Sequence, residues 1–388
     1  MKTTELRKRG LYDPASPGAA ERLELLNYLA ENGVSVDDMV DADRRGRLVS
    51  MLFDRALGIG SERLTLAQVA ERARLSPDAA AAARRAVGLP VVADADVYGA
   101  ADIEILRVFR VAEQVFGTDV TLQIARVIGS SVSRIAEAEV ASFLVNIAAP
   151  LAAEDAGEVA LARANADVAA LTQQMSRLLD LLHRQHLDIA IRRFNVPRND
   201  LANYETFDMA VGFADMVGFT GLSEQLSTRE LAATIADFEE RTAQLVGDAG
   251  GRIVKLIGDE VMFVADDPND GCEVAVQVLS AFDGDDNLPP LRVGLAWGPV
   301  LARDGDYFGS VVNVASRSVK LARPGTALVS RPLREVVGEA PPGWRFGARH
   351  LRRIKGFDRR VPLHTMRRVR TLLPAVSEAF GGQHNGAA

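Results

Sequence analysis

Between Asp208 and Glu260 the chain carries two patterns that leave few options for folding. The first is Met209-Ala-Val-Gly-Phe-Ala-Asp215-Met-Val-Gly-Phe-Thr220, an apolar run that stops at an acid and then turns through Gly218. The second is a pair of β-rich runs, 253–257 and 261–265, joined by Gly258-Asp259-Glu260. A tight polar turn between two apolar runs reads as a β-hairpin. If the first run is a strand of the same sheet, Asp215 and Asp259 come to lie side by side at its edge. Two carboxylates held together at strand ends suit one or two Mg²⁺ or Mn²⁺ ions. The arrangement suggests a metal-dependent nucleotidyl-transfer centre.

Composition narrows the alternatives. Fifty-two acidic against 45 basic side chains give a net charge of −7, which disfavours broad contact with nucleic acid. The single cysteine, Cys272, excludes a disulfide framework and a cysteine metal site. Its place in a predicted helix beside Val274 and Val276 makes it a small core residue. Lys2, Arg7, Lys8 and Arg9 are followed by no apolar segment, so no secretory signal is expected. The most membrane-like run, 140–153, is interrupted by Asn146 and Pro150 and is too short to span a bilayer. A cytoplasmic protein with no membrane span and no nucleic-acid partner is expected.

The texture of the chain changes once. Residues 1–18, with Pro14, Pro17 and Gly18, read as a flexible arm. From 19 to 191 apolar residues recur at helical spacing, and breaks are expected near Gly117, at 129–131 and at Pro150. This predicts an all-α domain. Its last part, 158–194, lacks Gly and Pro and reads as one long connecting helix striped by Leu171, Met175, Leu178, Leu179 and Leu182. His183 and His186 share one face of it. Histidine titrates near neutrality, so the pair is a candidate pH sensor, although two solvated polar residues would look the same. Residues 65–87 resemble a helix-turn-helix, with Arg84 and Arg85 as the candidates for DNA contact; a plain helical hairpin fits as well. A linker is expected over 192–205. From 206 to 368 strands alternate with helices in the order βαββαβ, the pattern of an α+β ferredoxin-like sheet. In that pattern 291–297 and 300–303 read as a strand and its return. A disordered tail, 369–388, completes the reading.

Three segments carry a resemblance to a known family. They are Phe213-Ala-Asp215-Met-Val-Gly-Phe-Thr220, Lys255-Leu-Ile-Gly-Asp259-Glu260 and Asp306-Tyr-Phe-Gly309-Ser-Val-Val-Asn313-Val-Ala-Ser-Arg317. They are ordered and spaced like the catalytic core of class III adenylyl cyclases, over roughly 205–368. A helical N-terminal half ahead of such a core resembles the actinobacterial members that carry a pH-responsive regulatory domain. The resemblance implies conversion of ATP to 3′,5′-cyclic AMP and pyrophosphate, with two metal ions, Mg²⁺ or Mn²⁺, per active site on Asp215 and Asp259. It implies adenine recognition by Lys255 and Asp306: a lysine donor meets N1, and a carboxylate accepts from the 6-amino group. Guanine would reverse that pattern and leave both groups unsatisfied. It assigns ribose orientation to Asn313, stabilisation of the pentacovalent α-phosphate to Arg317, and triphosphate contact to Lys355 in Arg353-Ile-Lys355-Gly356. The loop Gly218-Phe219-Thr220 opens a helical region whose backbone N–H groups can hold phosphate.

The resemblance further implies a head-to-tail homodimer with composite sites, in which one chain supplies the metal aspartates and the other the remaining groups. The helical half would then tune or restrain the rate by shifting domain pairing. Its input would be protonation at His183 and His186, or an apolar ligand. The competing expectation is a DNA-binding regulator that uses 65–87 and keeps the second half as a nucleotide sensor. A diguanylate-cyclase-like enzyme is disfavoured, because the turn Ile257-Gly-Asp-Glu260 is not a Gly-Gly-Asp/Glu-Glu-Phe turn.

Overall fold

Every named element from Thr3 to Arg193 is helical, and every named strand lies beyond Thr206. The computed structural model describes residues 2–58, 63–92, 95–193, 206–285, 287–339 and 343–369. The chain divides into two compact units, Met1–Pro197 and Arg198–Ala388.

The first unit opens with α1 (Thr3–Lys8), α2 (Ala19–Glu31), α3 (Val36–Arg44) and α4 (Met51–Ala56). The flexible arm expected over 1–18 is instead partly helical. Leu6 and Leu11 are buried in one core with Leu25, Leu26, Leu29 and Met39, and that burial holds the segment down. Its Pro and Gly residues mark only the loop behind α1. Next come α5 (Leu66–Ala73) and α6 (Pro77–Ala86), started by Thr65 and Ser76 as N-caps. They are followed by α7 (Ala100–Phe116) and α8 (Thr118–Phe143).

No break occurs at Gly129. Thr121, Ala125 and Gly129 lie one turn apart on the buried side of α8, and a Cβ at 129 would press on the Val87 backbone. The glycine is there for close packing. A π-helical turn, Leu144–Ala148, and α9 (Ala149–Ala153) continue the helix past Asn146 and Pro150. The stretch Thr118–Ala153 is thus long and apolar enough, by length and composition, to cross a membrane. Finally, α10 spans Gly157–Arg193. The linker expected over 192–205 and the tail expected over 369–388 fall almost wholly outside the described residues.

The second unit is built on β1 (Thr206–Met216), α11 (Phe219–Ser223), α12 (Thr228–Asp248), β2 (Arg252–Ile257), β3 (Glu260–Ala265), α13 (Pro268–Ala281) and β4 (Leu291–Arg303). It continues with β5 (Asp306–Phe308), α14 (Ser310–Val319), β6 (Ala327–Ser330), α15 (Arg331–Val337), β7 (Trp344–Arg352) and β8 (Val361–Arg368). Among the described residues the sheet runs β2-β3-β1-β4-β6-β8-β7, with β5 on β4. The first four strands have the ferredoxin-like order that βαββαβ predicts. The expected return over 300–303 is instead the end of β4. That strand passes through Gly298 and Pro299 because β1 keeps pairing with it as far as Thr206 opposite Leu301. The actual return is β5.

Side chains alternate across the sheet. Ala210, Ala214, Met216, Phe263, Val293 and Leu295 enter one core with Phe238 of α12 and Val274 of α13. Cys272 is buried there, and burial pushes its thiol up to about 12, so it is the inert core residue expected. Met209, Val211, Phe213, Met262, Val264 and Ala296 enter the opposite core, under Val311, Ala315 and Val319 of α14. Gly294 lies on that second face. A Cβ there would overlap the Ala315 carbonyl and the Val319 amide, so glycine lets α14 rest directly on the sheet.

Candidate active site

The alternation that buries Met209, Val211 and Phe213 carries Asp215 to the same face, beneath the C-terminal end of α14. Asp215 pairs in register with Glu260 of β3 on one side and Arg292 of β4 on the other. Asp259 occupies the two-residue turn before Glu260, where Gly258 takes φ +65°. Its carbonyl accepts the Met216 N–H at 3.0 Å, which fixes the turn against the end of β1. The sheet therefore ends in three carboxylates, of which Asp215 is 2% exposed.

Two cations face them. The Arg292 guanidinium donates from Nε to Asp215 Oδ2 at 2.7 Å, and its Nη2 lies 2.5 Å from the same oxygen. The Lys320 ammonium, at the C-cap of α14, lies 3.7 Å from Asp215 Oδ1 and 3.2 Å from Glu260 Oε2. Glu260 Oε2 is buried and accepts no well-directed hydrogen bond. Burial raises the Glu260 pKa; Lys320 opposes that, and the Asp215 and Asp259 charges add to it. The Lys320 pKa is also raised. Desolvation pulls it down, but the Glu260 and Asp215 carboxylates outweigh that.

The donors suit a hard divalent cation: oxygen ligands only, net negative, with one buried oxygen lacking a good donor. Among the described residues, no three acidic, thiol or imidazole groups converge closely enough to enclose a metal. An ion here would take one or two carboxylates and complete its shell with phosphate and water, as Mg²⁺ commonly does. The fit holds on those terms.

A second group forms between β2 and β5. Lys255 makes an ion pair with Asp306, whose Oδ1 also accepts the Tyr307 N–H at 2.8 Å. Beside it Arg252 donates to the Tyr307 hydroxyl at 2.6 Å. A third group forms where α14 meets the loop before β8. Arg317 stacks 5.9 Å from the Phe357 ring, and Gly356, at φ +80°, leaves room for its guanidinium. Lys355 is exposed next to them, on a loop anchored by buried Ile354. Asn313 is exposed in the first turn of α14. Asn313 and Lys320 are seven residues apart, about 10 Å along the axis, so Asn313 and the acidic end do not meet at one point.

At the loop after β1, Gly218 is the N-cap of α11 at φ +79°. The Met216 and Val217 N–H groups are already donated, to the Asp259 and Pro290 carbonyls. This leaves the first-turn N–H groups at Phe219 and Thr220 for an anion. The Phe219 side chain itself is core, and Thr220 is exposed.

Arg292, Glu260 and Lys320 were not singled out from sequence. Their roles depend on strand register and helix docking, which no local spacing encodes. In the helical unit, His183 and His186 are both exposed on α10, on a stretch that also carries the ion pairs Asp180–Arg184 and Asp188–Arg192. The reading of Arg84 as a DNA contact is overturned. It is 7% exposed, donates to the Pro90 carbonyl at 3.2 and 3.1 Å, pairs with Asp102 and stacks 4.6 Å from the Tyr98 ring. Only Arg85 of that pair is exposed.

Comparison with known proteins agrees with both halves. Residues 8–194 match the adenylate cyclase regulatory domain, and 202–366 match the adenylate and guanylate cyclase catalytic domain. An uncharacterized protein of Mycobacterium tuberculosis is 35% identical, over 92% of this chain and 95% of its own length. A pH-sensitive adenylate cyclase of the same species is 32% identical, over 89% of this chain and 88% of its own. Among solved structures, the adenylate/guanylate cyclase/hydrolase of Silicibacter pomeroyi is 26% identical over 42% of this chain and 98% of its own, with a TM-score of 0.38.

Proposed function

The chain belongs to the adenylate cyclase family, and from that premise we propose that it forms cyclic AMP at two equivalent composite sites of a homodimer, under the control of its helical half. The observation that carries the substrate assignment is the Lys255–Asp306 pair. A lysine donor and a carboxylate acceptor held side by side match N1 and the 6-amino group of adenine. Guanine would leave both unsatisfied, at a cost of roughly a hundredfold in discrimination.

Each remaining group has one task. Asp215 and Asp259 would hold Mg²⁺ or Mn²⁺, which supplies Lewis acidity to the ribose 3′-hydroxyl and charge neutralisation for the triphosphate. Asn313 orients the ribose so that its 3′-oxygen faces the α-phosphorus. Arg317 donates to the α-phosphate oxygens as negative charge builds on them. Lys355 and the first-turn N–H groups at Phe219 and Thr220 hold the triphosphate, and pyrophosphate leaves opposite the attacking oxygen. The acidic group and Asn313 stand at opposite ends of α14, which supports a site completed by a second chain. A substrate drawn from the ATP pool supports a catalytic unit that faces the cytoplasm.

Control falls to the helical unit. Exposed apolar rows support a partner surface there: Val108, Val111 and Val115 on α7; Val120, Ile124, Ile128 and Val132 on α8; Leu171, Leu178 and Leu182 on α10. Protonation of His183 and His186 is the favoured input, supported by similarity to the pH-sensitive relative. An apolar ligand is second. A groove between α2, α9 and α10 includes Ile147 and Leu151 but is rimmed by Glu21, Glu24, Glu158 and Asp167.

Complementation tests the composite site. Asp215→Asn and Arg317→Ala should each abolish cyclic AMP formation from Mn²⁺-ATP. Mixed one to one and allowed to exchange, they should recover about a quarter of wild-type activity, since half the dimers carry one intact site of two. No recovery despite proven exchange would place both residues in one chain's site and sink the composite-site reading.

A further inference from the structure

Lys320 belongs to none of the roles above, yet the packing of α14 aims it at the acidic end of the sheet. Gly294 brings the helix onto β4, and Ala315 and Val319 seat its last turn. The next residue is Lys320, whose ammonium reaches Asp215 Oδ1 and Glu260 Oε2 together. The two cations at this end differ in kind. Arg292 is 25% exposed and holds one Asp215 oxygen with a hydrogen bond from Nε and a close ion pair from Nη2. Lys320 is 61% exposed, bridges two carboxylates at longer distances and hangs on four rotatable bonds. The first is a fixed partner and the second can leave.

We propose that Lys320 is a built-in counter-cation: it neutralises Asp215 and Glu260 while no divalent ion is bound, must swing away when one binds, and so sets the affinity of the site for metal. The inference rests on the metal assignment to Asp215 and Asp259. It follows from competition for Asp215 Oδ1. Three carboxylates at one sheet end repel one another, and Arg292 alone leaves that end with two surplus negative charges. An ammonium 3.2–3.7 Å from two of them lowers the repulsion in the ion-free protein. A divalent ion on Asp215 gains Oδ1, the oxygen that Arg292 does not hold, only by displacing that ammonium, so part of its binding free energy is spent on the exchange. Release of Lys320 also frees a cation beside the bound nucleotide, where its flexible stem can follow phosphate charge.

The test needs no turnover. Mn²⁺ binding to full-length protein without nucleotide is followed by the loss of the free-ion electron-spin-resonance signal. Melting is followed with chelator and with saturating Mn²⁺. Lys320→Met and Lys320→Gln should bind Mn²⁺ about tenfold more tightly than wild type. Both should melt lower than wild type in chelator and recover in Mn²⁺. Lys320→Arg should stay near wild type. Asp215→Asn is the control on the metal reading. If it binds Mn²⁺ as wild type does, the metal lies elsewhere and the inference falls with that reading. If Asp215→Asn loses Mn²⁺ while Lys320→Met binds no more tightly than wild type, the metal reading stands and the role of Lys320 is overturned.

Discussion

The two halves of the chain depart from ordinary burial in opposite directions. The sheet unit buries charge: Asp215 is 2% and Glu260 9% exposed, at the end of an otherwise apolar sheet. The helical unit exposes hydrocarbon: Val108 is 68% and Val115 70% exposed on α7, and Leu171 57% on α10. Both departures cost free energy in an isolated chain. A buried carboxylate needs cations, and an exposed apolar row needs cover. The proposed function would give each a use: a protein partner for the exposed rows, and a divalent ion for the carboxylates. A regulated enzyme that pairs through one half and reacts in the other would show this division.

The largest effect should come from a group that acts only as the reaction proceeds. Arg317 is held by Phe357 and by the space at Gly356 rather than by any ion pair among the described residues. Arg317→Ala should therefore barely disturb folding, yet lower kcat by about 10²–10³ with little change in KM for ATP. A stopped assay for cyclic AMP over a range of ATP concentrations separates the two parameters. A rise in KM at constant kcat would make Arg317 a ground-state contact and weaken the contrast between binding and reacting groups.

The next effect is on the scaffold. Gly294→Ala puts a methyl group against the Ala315 carbonyl and Val319 amide. Lifting α14 to relieve that overlap should cost about 1–3 kcal/mol, read as a lower urea midpoint at unchanged slope. The same shift withdraws Lys320 from Asp215 and Glu260. A variant that keeps wild-type stability would mean that α14 does not rest on the sheet at Gly294.

These positions also show where sequence is informative. The hairpin turn at Gly258 and Asp259, and the end of β1 just past Asp215, are local patterns, and the strands there form as expected. Arg292 and Lys320 reach Asp215 through the β1–β4 register and through a helix docked on Gly294, contacts between residues far apart in the chain. No spacing rule carries that information. Gly129 and Gly298 mislead for a related reason. Glycine signals a break when the chain must turn, but it also marks close packing, as on Val87, or a strand held straight by its neighbour. Leu6 misleads because a short segment's burial depends on the core it finds, here that of Leu25, Leu26 and Leu29.

The smallest effect on the fold of a single chain should come from the exposed row of α10, and it tests the other side of the contrast. Leu171 and Leu178 are seven residues apart, two turns on one face, and both are exposed. Replacing both with Glu removes apolar surface from solvent contact and keeps helix propensity, so intrinsic stability should change by no more than about 0.5 kcal/mol. Pairing should respond far more. In the proposed dimer, two carboxylates per chain would have to be desolvated opposite their own copies. Sedimentation should then show wild type as a dimer and the double variant shifted towards monomer, and the variant should melt below wild type at low protein concentration and approach it as concentration rises. Cyclic AMP formation should fall in step with the dimer fraction and recover as concentration rises, since no catalytic group has been touched. If the variant remains a dimer at every concentration, the row on α10 is not the pairing surface, and those on α7 and α8 become the ones to alter.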